Sequence, residues 1–554
     1  MTVFNQHNQN QDEIENAVSN PSLITHRWVC FLFMALIILA LAVRVRLLSV
    51  PIERDEGEYA YAGQLILQGF PPYSLAYNMK MPGIYGAYAL VLAVFGQTPK
   101  GIHLGLLVIN IITIFLLFRI VRQLFDSFAA WVSSAVFAAL SLGQYVHGLY
   151  ANAEHFVIVL ALGGILLLSY AEKLRSWWYL LAGSLLLGIA FLMKQHGAAL
   201  ILFAGLYLVV TETSHQPVDW KAFSLKISTF VIAAVLPFAL TCLILWRCGV
   251  FDRFWFWTFS YAREYVSRLS LYDGVGLLVL RGTPVITSAV LPWVLATVGF
   301  VYILVSKKFR QQKFFVLSFL IFSFLAVCPG MYFREHYFLF LLPPVALLAG
   351  LGAHFFRRIF IQSVLKSFAD PIATTLVAVF VLFAFYQQRY LFFAASPSKV
   401  TEIVHEGNAF PQLLETAKFL RQHSQKNDII AVIGSEPEIY FYSGRRSASG
   451  YIYMYPLMEP QPYALKMQRD MINEIEAAKP DFLVFVHVFL SWTLEEKSEN
   501  LIFEWFERYS REYYRLIGVV DIPFTSPAIY LWGEGCSGYK PKSDSWILIF
   551  ERKK

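Results

Sequence analysis

Charged residues are scarce in this chain. They make up only 15% of its 554 residues, whereas hydrophobic residues make up 57%. Ordinary soluble domains carry about 25% charged residues, so the composition indicates a protein whose main solvent is lipid. The basic residues are dispersed and the formal charge is only +7. Since nucleic-acid binding requires basic residues clustered on a soluble face, we expect no nucleic-acid partner.

Cysteine is also scarce, and the five cysteines form no CxxC pair. This spacing excludes a disulfide scaffold in the soluble part and a thiolate zinc site. Residues 1–27 are polar, and the apolar run that follows lacks the small-residue cleavage site of a secretory signal. We therefore expect residues 1–27 to form a cytoplasmic tail.

Long apolar runs are abundant. A helix needs about twenty apolar residues to cross the hydrocarbon core of a bilayer. The sequence offers eleven candidate spans, at 28–49, 101–121, 127–147, 154–171, 177–193, 197–211, 227–246, 284–305, 314–330, 337–353 and 371–388. The run 81–95 is shorter and contains Pro82, Gly83 and Gly86, so we predict a re-entrant or interfacial helix there.

Basic loops predict the orientation of these spans, because cytoplasmic loops are enriched in Lys and Arg. The clearest basic loop lies at 307–313, and three basic pairs fall on the same side: Arg119 and Arg122, Lys173 and Arg175, and Arg357 and Arg358. We predict that this side is cytoplasmic. The chain would then be a multi-pass inner (plasma) membrane protein with an inside N-terminus, and everything after about residue 389 would lie outside.

The character of the sequence changes near residue 399, where charges become frequent. Short β-rich runs occur at 428–434, 481–487, 516–520, 528–532 and 546–550, and they alternate with helical stretches near 410–423, 461–478 and 495–512. This alternation predicts an α/β domain. The predicted organisation is a tail (1–27), a polytopic all-α membrane catalytic domain (28–390, with a first outer loop at 50–100) and an extracytoplasmic α/β domain (391–554).

Ionisable residues gather on the predicted outer side of the membrane. They come from separate parts of the chain: Asp55 and Glu56 after the first span, Lys80 in the first outer loop, Glu154 at the start of the fourth span, Lys194 at the end of the fifth, and Arg334 and His336 between the ninth and tenth. Ionisable groups at membrane depth are costly and usually face a cavity or one another. Their gathering on one face therefore indicates a functional site.

The residue types suggest a division of labour. A carboxylate can remove a proton from a nucleophile, so Asp55 and Glu56 are the candidate catalytic residues. Cations stabilise the negative charge of a departing phosphate, so the candidate donor-phosphate ligands are Lys80, Lys194, Arg334 and His336. Glu154 is a candidate acceptor-contacting or structural acid. The sequence shows no compact acidic triad, so we expect no metal and no other cofactor.

Each of these residues also has a structural interpretation. Asp55 and Glu56 could interact with a helix dipole, and Lys80 and Lys194 could extend to the membrane interface. The remaining structural interpretations pair Arg334 with Glu335 and make His336 an interfacial aromatic residue. Glu58 could cap a helix or pair with Arg54. The segment at 434–438, Gly-Ser-Glu-Pro-Glu, is either a loop that faces the membrane or an ordinary turn.

Five short motifs follow one another along the chain: Arg-Asp-Glu-Gly-Glu-Tyr-Ala at 54–60, Lys-Met-Pro-Gly-Ile-Tyr at 80–85, Asn-Ala-Glu at 152–154, Met-Lys-Gln at 193–195, and His-Tyr at 336–337 running into Leu-Pro-Pro-Val-Ala-Leu-Leu at 342–348. With these motifs the sequence resembles the GT-C superfamily of polyprenyl-phosphate-sugar glycosyltransferases. The nearest branches are the bacterial protein O-mannosyltransferase-like and lipid A aminoarabinose transferase-like enzymes. The latter usually have Glu-Lys-Pro-Pro where this chain has Met-Lys-Met-Pro at 79–82, which favours a generic transferase.

This resemblance implies an activity in the cell envelope. It implies that one sugar moves from an undecaprenyl- or dolichyl-phosphate donor to a lipid, glycan or protein acceptor at the outer face, with inversion at the anomeric carbon. In this scheme Asp55 is the base or positions the acceptor, Lys80 contacts the donor phosphate, and Lys194 and Arg334 assist.

Two other functions fit parts of the pattern. A transporter or flippase for a lipid-linked saccharide would show two related halves and polar groups at mid-membrane, and neither is evident in the sequence. An O-antigen ligase-like or polymerase-like enzyme would use Arg and His in a large late outer loop, whereas the late outer loops here are short.

Overall fold

The computed structural model describes residues 23–214, 217–524 and 526–553. Most of the predicted tail at 1–27 lies outside these ranges. The described chain divides into two compact units. One comprises the described part of Met1–Leu47 together with Leu106–Phe238 and Leu269–Ala394. The other comprises Leu48–Gly105, Ala239–Arg268 and the described part of Ala395–Lys554. The domain borders at 27/28 and 390/391 stay predictions.

Helices account for most of the described chain before residue 395. The α-helices are Leu23–Arg46, Arg54–Leu67, Pro82–Phe95, Pro99–Leu124, Ser127–Leu140, Ala153–Leu174, Trp177–Met193, Gly197–Thr213, Trp220–Arg247, Phe251–Trp255, Ala262–Val266, Leu271–Thr287, Val290–Val305, Arg310–Val327, Leu342–Ile361 and Ala369–Gln387. Short 3₁₀ turns lie at Gln144–Val146, Pro329–Met331, Glu335–Leu341 and Lys366–Phe368, and π-helical turns lie at Phe256–Tyr261 and Tyr390–Ala394.

Several of these helices are long and apolar enough to cross a membrane. Within the described ranges there are six: Arg27–Arg46, Pro99–Leu124, Ala153–Leu174, Trp220–Arg247, Glu335–Ile361 and Lys366–Gln387. A bent pair, Phe251–Val266 and Leu271–Thr287, would bring the count to seven if it forms one span. Shorter apolar helices occupy most of the other predicted spans, so the total of eleven stays a prediction.

One predicted span, 284–305, is wrong as a continuous helix. The chain forms a helix at Leu271–Thr287, breaks at Ser288 and Ala289, and begins a new helix at Val290. Pro292 explains the break, because proline has no N–H for the carbonyl of residue 288 and its ring clashes with that carbonyl. The apolar run is continuous across the break, so hydropathy does not reveal it.

The sheet region follows residue 395. Its helices are Pro397–Val404, Phe410–His423, Glu438–Ser443, Tyr455–Met458, Ala464–Ala478, Phe489–Trp492 and Leu501–Tyr513, with a 3₁₀ turn at Gly533–Cys536. Its strands are β1 (Ile429–Ile433), β2 (Arg446–Ser447), β3 (Phe482–His487), β4 (Tyr514–Asp521), β5 (Ile529–Trp532) and β6 (Trp546–Arg552). The predicted fold class, a helical membrane region followed by a C-terminal α/β region, is confirmed.

The six strands form one mixed sheet in the order β2-β1-β3-β6-β4-β5. β1 pairs in parallel with β2 and β3, whereas the β3–β6, β6–β4 and β4–β5 pairs are antiparallel. β1 and β3 are buried along nearly their whole length, which is typical of strands covered on both faces. The loop that follows β1 therefore starts from a rigid support, and it carries the Ser435 and Glu436 contacts described below.

The helix Arg54–Leu67, here called the acidic helix, packs closely against the start of the short helix Glu438–Ser443. Gly57 is the point of contact, since a Cβ atom there would come within 2.8 Å of both the Cβ and the backbone nitrogen of Glu438. Gly86, in the helix Pro82–Phe95, has open space around the corresponding position. The glycine at 57 is thus required by packing and the one at 86 is not.

We expect Gly57→Ala to lower the free energy of unfolding by about 1–3 kcal/mol, because the added methyl group must displace backbone. Gly86→Ala is the matched control: it should be neutral or stabilising by up to about 1 kcal/mol, since alanine favours helix. Thermal unfolding of both variants in detergent checks this expectation. Equal melting temperatures for the two variants would contradict the close packing at Gly57.

Candidate active site

The acidic helix begins with a hydrogen-bonded cap. The Glu53 carboxylate accepts hydrogen bonds from the backbone N–H groups of Asp55 (2.9 Å) and Glu56 (3.0 Å), and the Glu56 side chain accepts one from the backbone N–H of Glu53 (3.3 Å). This reciprocal arrangement satisfies N–H groups that the first helical turn leaves without partners. It fixes the direction in which the Asp55 side chain leaves the helix.

The Asp55 carboxylate contacts two donors from distant parts of the chain. Lys80 Nζ lies 2.9 Å from Oδ2, and the Tyr453 hydroxyl donates a hydrogen bond of 2.9 Å to Oδ1. The Asp55 and Lys80 side chains are 15% and 16% exposed, so solvent and a ligand can reach both. Asp55, Lys80 and Tyr453 are called the acidic-helix cluster below.

Lys80 is fixed on more than one side. The Tyr73 hydroxyl donates to its backbone carbonyl (2.6 Å), and its ammonium lies 5.5 Å from the centre of the Tyr59 ring. The ammonium forms an ion pair with Asp55, and the extension of Lys80 to the membrane interface, one of its two interpretations above, stays a prediction. Asp55 and Lys80 are thus two of the predicted site residues that the structure brings together.

Glu56 occupies a different environment from Asp55. It is fully buried, contributes to the helix cap, and its Oε1 lies 3.1 Å from His103 Nε2. His103 also contacts the Leu48 carbonyl through Nδ1 (2.9 Å). These contacts agree with the structural interpretation of Glu56, and its catalytic role stays a prediction.

Arg54 links the acidic helix to the loop after β1. Its guanidinium donates to the Ser435 carbonyl (2.5 Å), the Tyr455 hydroxyl (2.5 Å) and Glu436 Oε1 (3.1 Å). The predicted pairing of Arg54 with Glu58 is therefore wrong. Two residues of the segment 434–438, Ser435 and Glu436, thus bind the arginine that adjoins Asp55. Whether this segment is a loop that faces the membrane or an ordinary turn stays a prediction.

Glu58 is buried one helical turn beyond Asp55. It accepts hydrogen bonds from Asn78 (2.7 Å) and from the Tyr85 hydroxyl (2.5 Å). Burial raises the pKa of Glu58 to about 8, although Lys80 and these two hydrogen bonds oppose the shift. Glu58 is therefore protonated over much of the range in which an ordinary glutamate is ionised.

This pKa predicts a pH dependence of stability. Because the folded-state pKa lies above the ordinary value of 4.5, the stability that Glu58 contributes is fully present in acid and is lost as the pH rises to about 8. Glu58→Gln mimics the protonated acid and does not titrate. As the pH rises from about 4.5 to about 8, its free energy of unfolding should therefore increase relative to that of the native protein by about 1.4 kcal/mol per pH unit. Unfolding measured at pH 5 and pH 8 checks this, and parallel pH profiles for the two proteins would contradict it.

A second group of predicted residues lies in the other compact unit. Glu154, in the first turn of the helix Ala153–Leu174, and Lys194, which ends the helix Trp177–Met193, form an ion pair of 2.5 Å. His336 Nε2 lies 3.9 Å from the same Glu154 oxygen, and the Lys194 ammonium lies 4.3 Å from the centre of the Tyr337 ring. Glu154, Lys194 and His336 are called the membrane-helix cluster below.

Lys194 and Glu154 are both buried in this cluster. The extension of Lys194 to the membrane interface is therefore wrong. A buried charge is costly unless it is paired, and each of these two residues provides the charge that the other requires. These contacts agree with the structural interpretation of Glu154, and a contact of Glu154 with an acceptor stays a prediction.

Glu335 contacts Arg281, and the pairing of Arg334 with Glu335 stays a prediction. Glu335 Oε1 lies 3.5 Å from Arg281 Nε, and the Arg334 guanidinium lies 5.4 Å from the centre of the Tyr332 ring. Arg281 also donates to the Tyr332 carbonyl (2.9 Å). The gathering of all predicted site residues on one membrane face stays a prediction.

Several contacts of the site could not be found from the sequence. Tyr453 lies 398 positions from Asp55, within the run Tyr-Ile-Tyr-Met-Tyr-Pro at 451–456. This run has neither helical nor strand periodicity and resembles an ordinary aromatic loop. Within the described ranges, no group of three or more His, Cys, Asp or Glu residues could hold a metal ion. Metal independence nevertheless stays an expectation.

Comparisons with known proteins bear on the predicted resemblance. Residues 80–241, which begin at Lys80 and contain Glu154 and Lys194, match the family described as dolichyl-phosphate-mannose-protein mannosyltransferase. No curated protein sequence matches the chain. The family match agrees with the resemblance inferred from the short motifs.

The fold is similar to that of solved membrane proteins. The apo structure of ArnT from Cupriavidus metallidurans has a TM-score of 0.58 at 13% identity, and the match covers 95% of this chain and 98% of that one. ArnT bound to undecaprenyl phosphate gives a TM-score of 0.57 at 14% identity, with 83% and 93% covered. The oligosaccharyltransferase AglB from Archaeoglobus fulgidus, in complex with an inhibitory peptide and a dolichol-phosphate, gives 0.52 at 12% identity, with 93% and 75% covered. The resemblance predicted from the motifs is confirmed.

Proposed function

We propose that this chain is a multi-pass membrane glycosyltransferase of the GT-C superfamily and that it transfers one sugar from a polyprenyl-phosphate donor to an acceptor with inversion at the anomeric carbon. The observation that carries this proposal is the Asp55–Lys80 pair, a partly exposed carboxylate beside a partly exposed ammonium. A base and a phosphate-binding cation are the two groups that such a transfer requires.

The transfer step follows from this pair. An acceptor hydroxyl or amine gives its proton to Asp55 as its lone pair attacks the anomeric carbon. The bond between that carbon and the phosphate oxygen breaks on the opposite face, and its electron pair leaves with the polyprenyl phosphate. This product carries one more negative charge than the donor phosphodiester did, and the Lys80 ammonium stabilises it. A single displacement of this kind inverts the anomeric configuration.

Lys80 can serve both partners at once. An ammonium has three N–H donors, and one of them is directed at Asp55 Oδ2 in the structure. The side chain is 16% exposed, so a phosphate that approaches from that side can contact the ammonium. Asp55 then orients Lys80 before the donor binds, and a preorganised cation is more effective than one that must rearrange during the reaction.

The membrane-helix cluster is proposed to add to donor binding. Glu154 holds the Lys194 ammonium in place, and His336 and Arg334 supply further positive or hydrogen-bonding groups in the same compact unit. ArnT is recorded with undecaprenyl phosphate and AglB with a dolichol-phosphate, which supports a polyprenyl phosphate as the lipid of the donor. We place the reaction at the extracytoplasmic face and expect a lipid, glycan or protein acceptor.

Donor competition in proteoliposomes tests this function. The reconstituted protein receives a panel of radiolabelled polyprenyl-phosphate hexoses and pentoses, with membrane extract as the source of acceptor. We expect a covalent product and competition by unlabelled monosaccharide-phosphate lipids. Competition only by oligosaccharide-diphosphate lipids would favour a ligase-like enzyme. Translocation of the saccharide with no covalent product would instead identify a flippase and contradict the proposal.

A further inference from the structure

The Tyr453 contact gives the sheet region a direct part in the site. The Tyr453 hydroxyl donates to Asp55 Oδ1, while the Lys80 ammonium lies against Oδ2. The Tyr59 hydroxyl also donates to Oδ2, at 3.5 Å, so Lys80 and Tyr59 contact one oxygen of the carboxylate and Tyr453 contacts the other. Contacts at both oxygens restrict rotation of the carboxylate, whereas contacts at one oxygen would leave it free to turn about its own axis.

The segment that carries Tyr453 is itself held in place. The backbone N–H of Met454 donates to the Ser435 hydroxyl (2.8 Å), and Ser435 in turn donates to the Ser491 carbonyl (2.6 Å). The Tyr455 hydroxyl donates to the Leu490 carbonyl (2.5 Å) and accepts from Arg54. Supporting contacts of this kind fix the orientation of a residue that touches a site. Tyr453 is also buried, so its hydroxyl position is determined by packing.

We propose that Tyr453 is a positioning residue for the reaction: its phenol holds the Asp55 carboxylate in the orientation that accepts the acceptor's proton and stabilises its ionised form. This inference rests on the proposed function. Once the polyprenyl-phosphate sugar is bound, the Lys80 ammonium must hydrogen-bond to both Asp55 and the phosphate. The Tyr453 hydroxyl does not have to bind the phosphate, so its hydrogen bond keeps the base oriented while Lys80 binds the sugar donor.

The electrostatic surroundings are consistent with this role. Burial raises the pKa of Tyr453 well above its ordinary value, and the Asp55 carboxylate acts in the same direction. The phenol therefore remains a donor at physiological pH. The other titratable or charged side chains near the pair come from four elements. They are Glu53, Arg54, Glu56, Glu58 and Tyr59 at the start of the acidic helix, Lys80 in its loop, Tyr85 and Tyr88 in the helix Pro82–Phe95, and Glu436, Glu438 and Tyr455 in the sheet region.

Tyr453→Phe tests the proposal because it removes only the hydroxyl. We expect kcat to fall about tenfold, as for loss of a hydrogen bond to a charged group, with the KM for the donor changed by less than about twofold. The acidic limb of the pH–rate profile should move to higher pH, since the ionised form of Asp55 loses a donor. Tyr451→Phe is the matched control. Tyr451 is buried two residues earlier and packs its ring against Tyr77 and Trp257, so its pH profile should match that of the native protein.

An infrared titration makes the test independent of the assay. Subtraction of the spectrum of the Asp55→Asn variant isolates the Asp55 carboxylate band, which should appear at higher pH in Tyr453→Phe than in the native protein. Identical titrations and identical pH–rate limbs would overturn the role of Tyr453, whatever the change in kcat. That result leaves the proposed function intact if Asp55→Asn is inactive. An active Asp55→Asn variant would refute the base itself.

Discussion

Asp55→Asn is expected to lower kcat for sugar transfer by about three orders of magnitude. The asparagine side chain has nearly the same shape as aspartate and can still accept a hydrogen bond from Tyr453, but it cannot take up the acceptor's proton. The substitution removes the group that accepts the proton and keeps the shape of the side chain, so the packing around residue 55 is retained. The helix cap depends on Glu53 and Glu56 and is unaffected, so the variant should insert and fold normally.

The measurement is single-turnover transfer by reconstituted protein, with size-exclusion elution in detergent to check folding. Asp273→Asn is the matched control, because Asp273 also lies in the first turn of a helix and is hydrogen-bonded there to the Ser270 side chain. It should retain native activity. Native activity in the Asp55→Asn variant would refute Asp55 as the base.

Lys194→Met is expected to have the largest effect on stability. It leaves Glu154, which is fully buried, without the ammonium that lies 2.5 Å from it. Removal of one partner of a buried ion pair typically costs about 3–5 kcal/mol, because the remaining charge has no compensation. We therefore expect a large fall in the melting temperature in detergent and little transfer activity.

The double variant Glu154→Gln with Lys194→Met separates the two roles of the lysine. Replacing both charges removes the uncompensated carboxylate, so most of the lost stability should return. If Lys194 also binds the donor phosphate, the KM for the donor stays raised in the stable double variant. A double variant with native stability and a native KM would contradict Lys194 as a donor ligand. A double variant as unstable as Lys194→Met would contradict the account of the ion pair.

Much of the C-terminal fold follows from local pattern. The β-rich run at 481–487 predicted β3 (Phe482–His487), and the periodic stretch at 410–423 is the helix Phe410–His423. The first is a short continuous run rich in β-branched and aromatic residues, and the second has apolar residues at helical spacing, so local sequence indicates each element. β2 was missed because two residues, Arg446 and Ser447, are too few to show a period.

The candidate site was predictable only where charge made residues conspicuous. Asp55 and Lys80 are rare ionisable groups among apolar runs, and the structure pairs them. The partners from the sheet region are different, because Tyr453 and Glu436 lie in segments whose composition is ordinary. Their contacts with Asp55 and Arg54 depend on tertiary packing across almost 400 positions of the chain, which no local pattern records. The sequence therefore pointed to Asp55 and Lys80 through their charge and gave no sign of Tyr453, a neutral donor to Asp55.

The stereochemistry of the transferred sugar tests the central claim most directly. The reconstituted protein is given a polyprenyl-phosphate sugar of known anomeric configuration, and the product is analysed by mass spectrometry and NMR. We predict a product that carries one sugar in the opposite configuration, formed by the native protein and absent with Asp55→Asn. A product with retained configuration would contradict a single displacement assisted by Asp55, and so would one formed equally well by the Asp55→Asn variant.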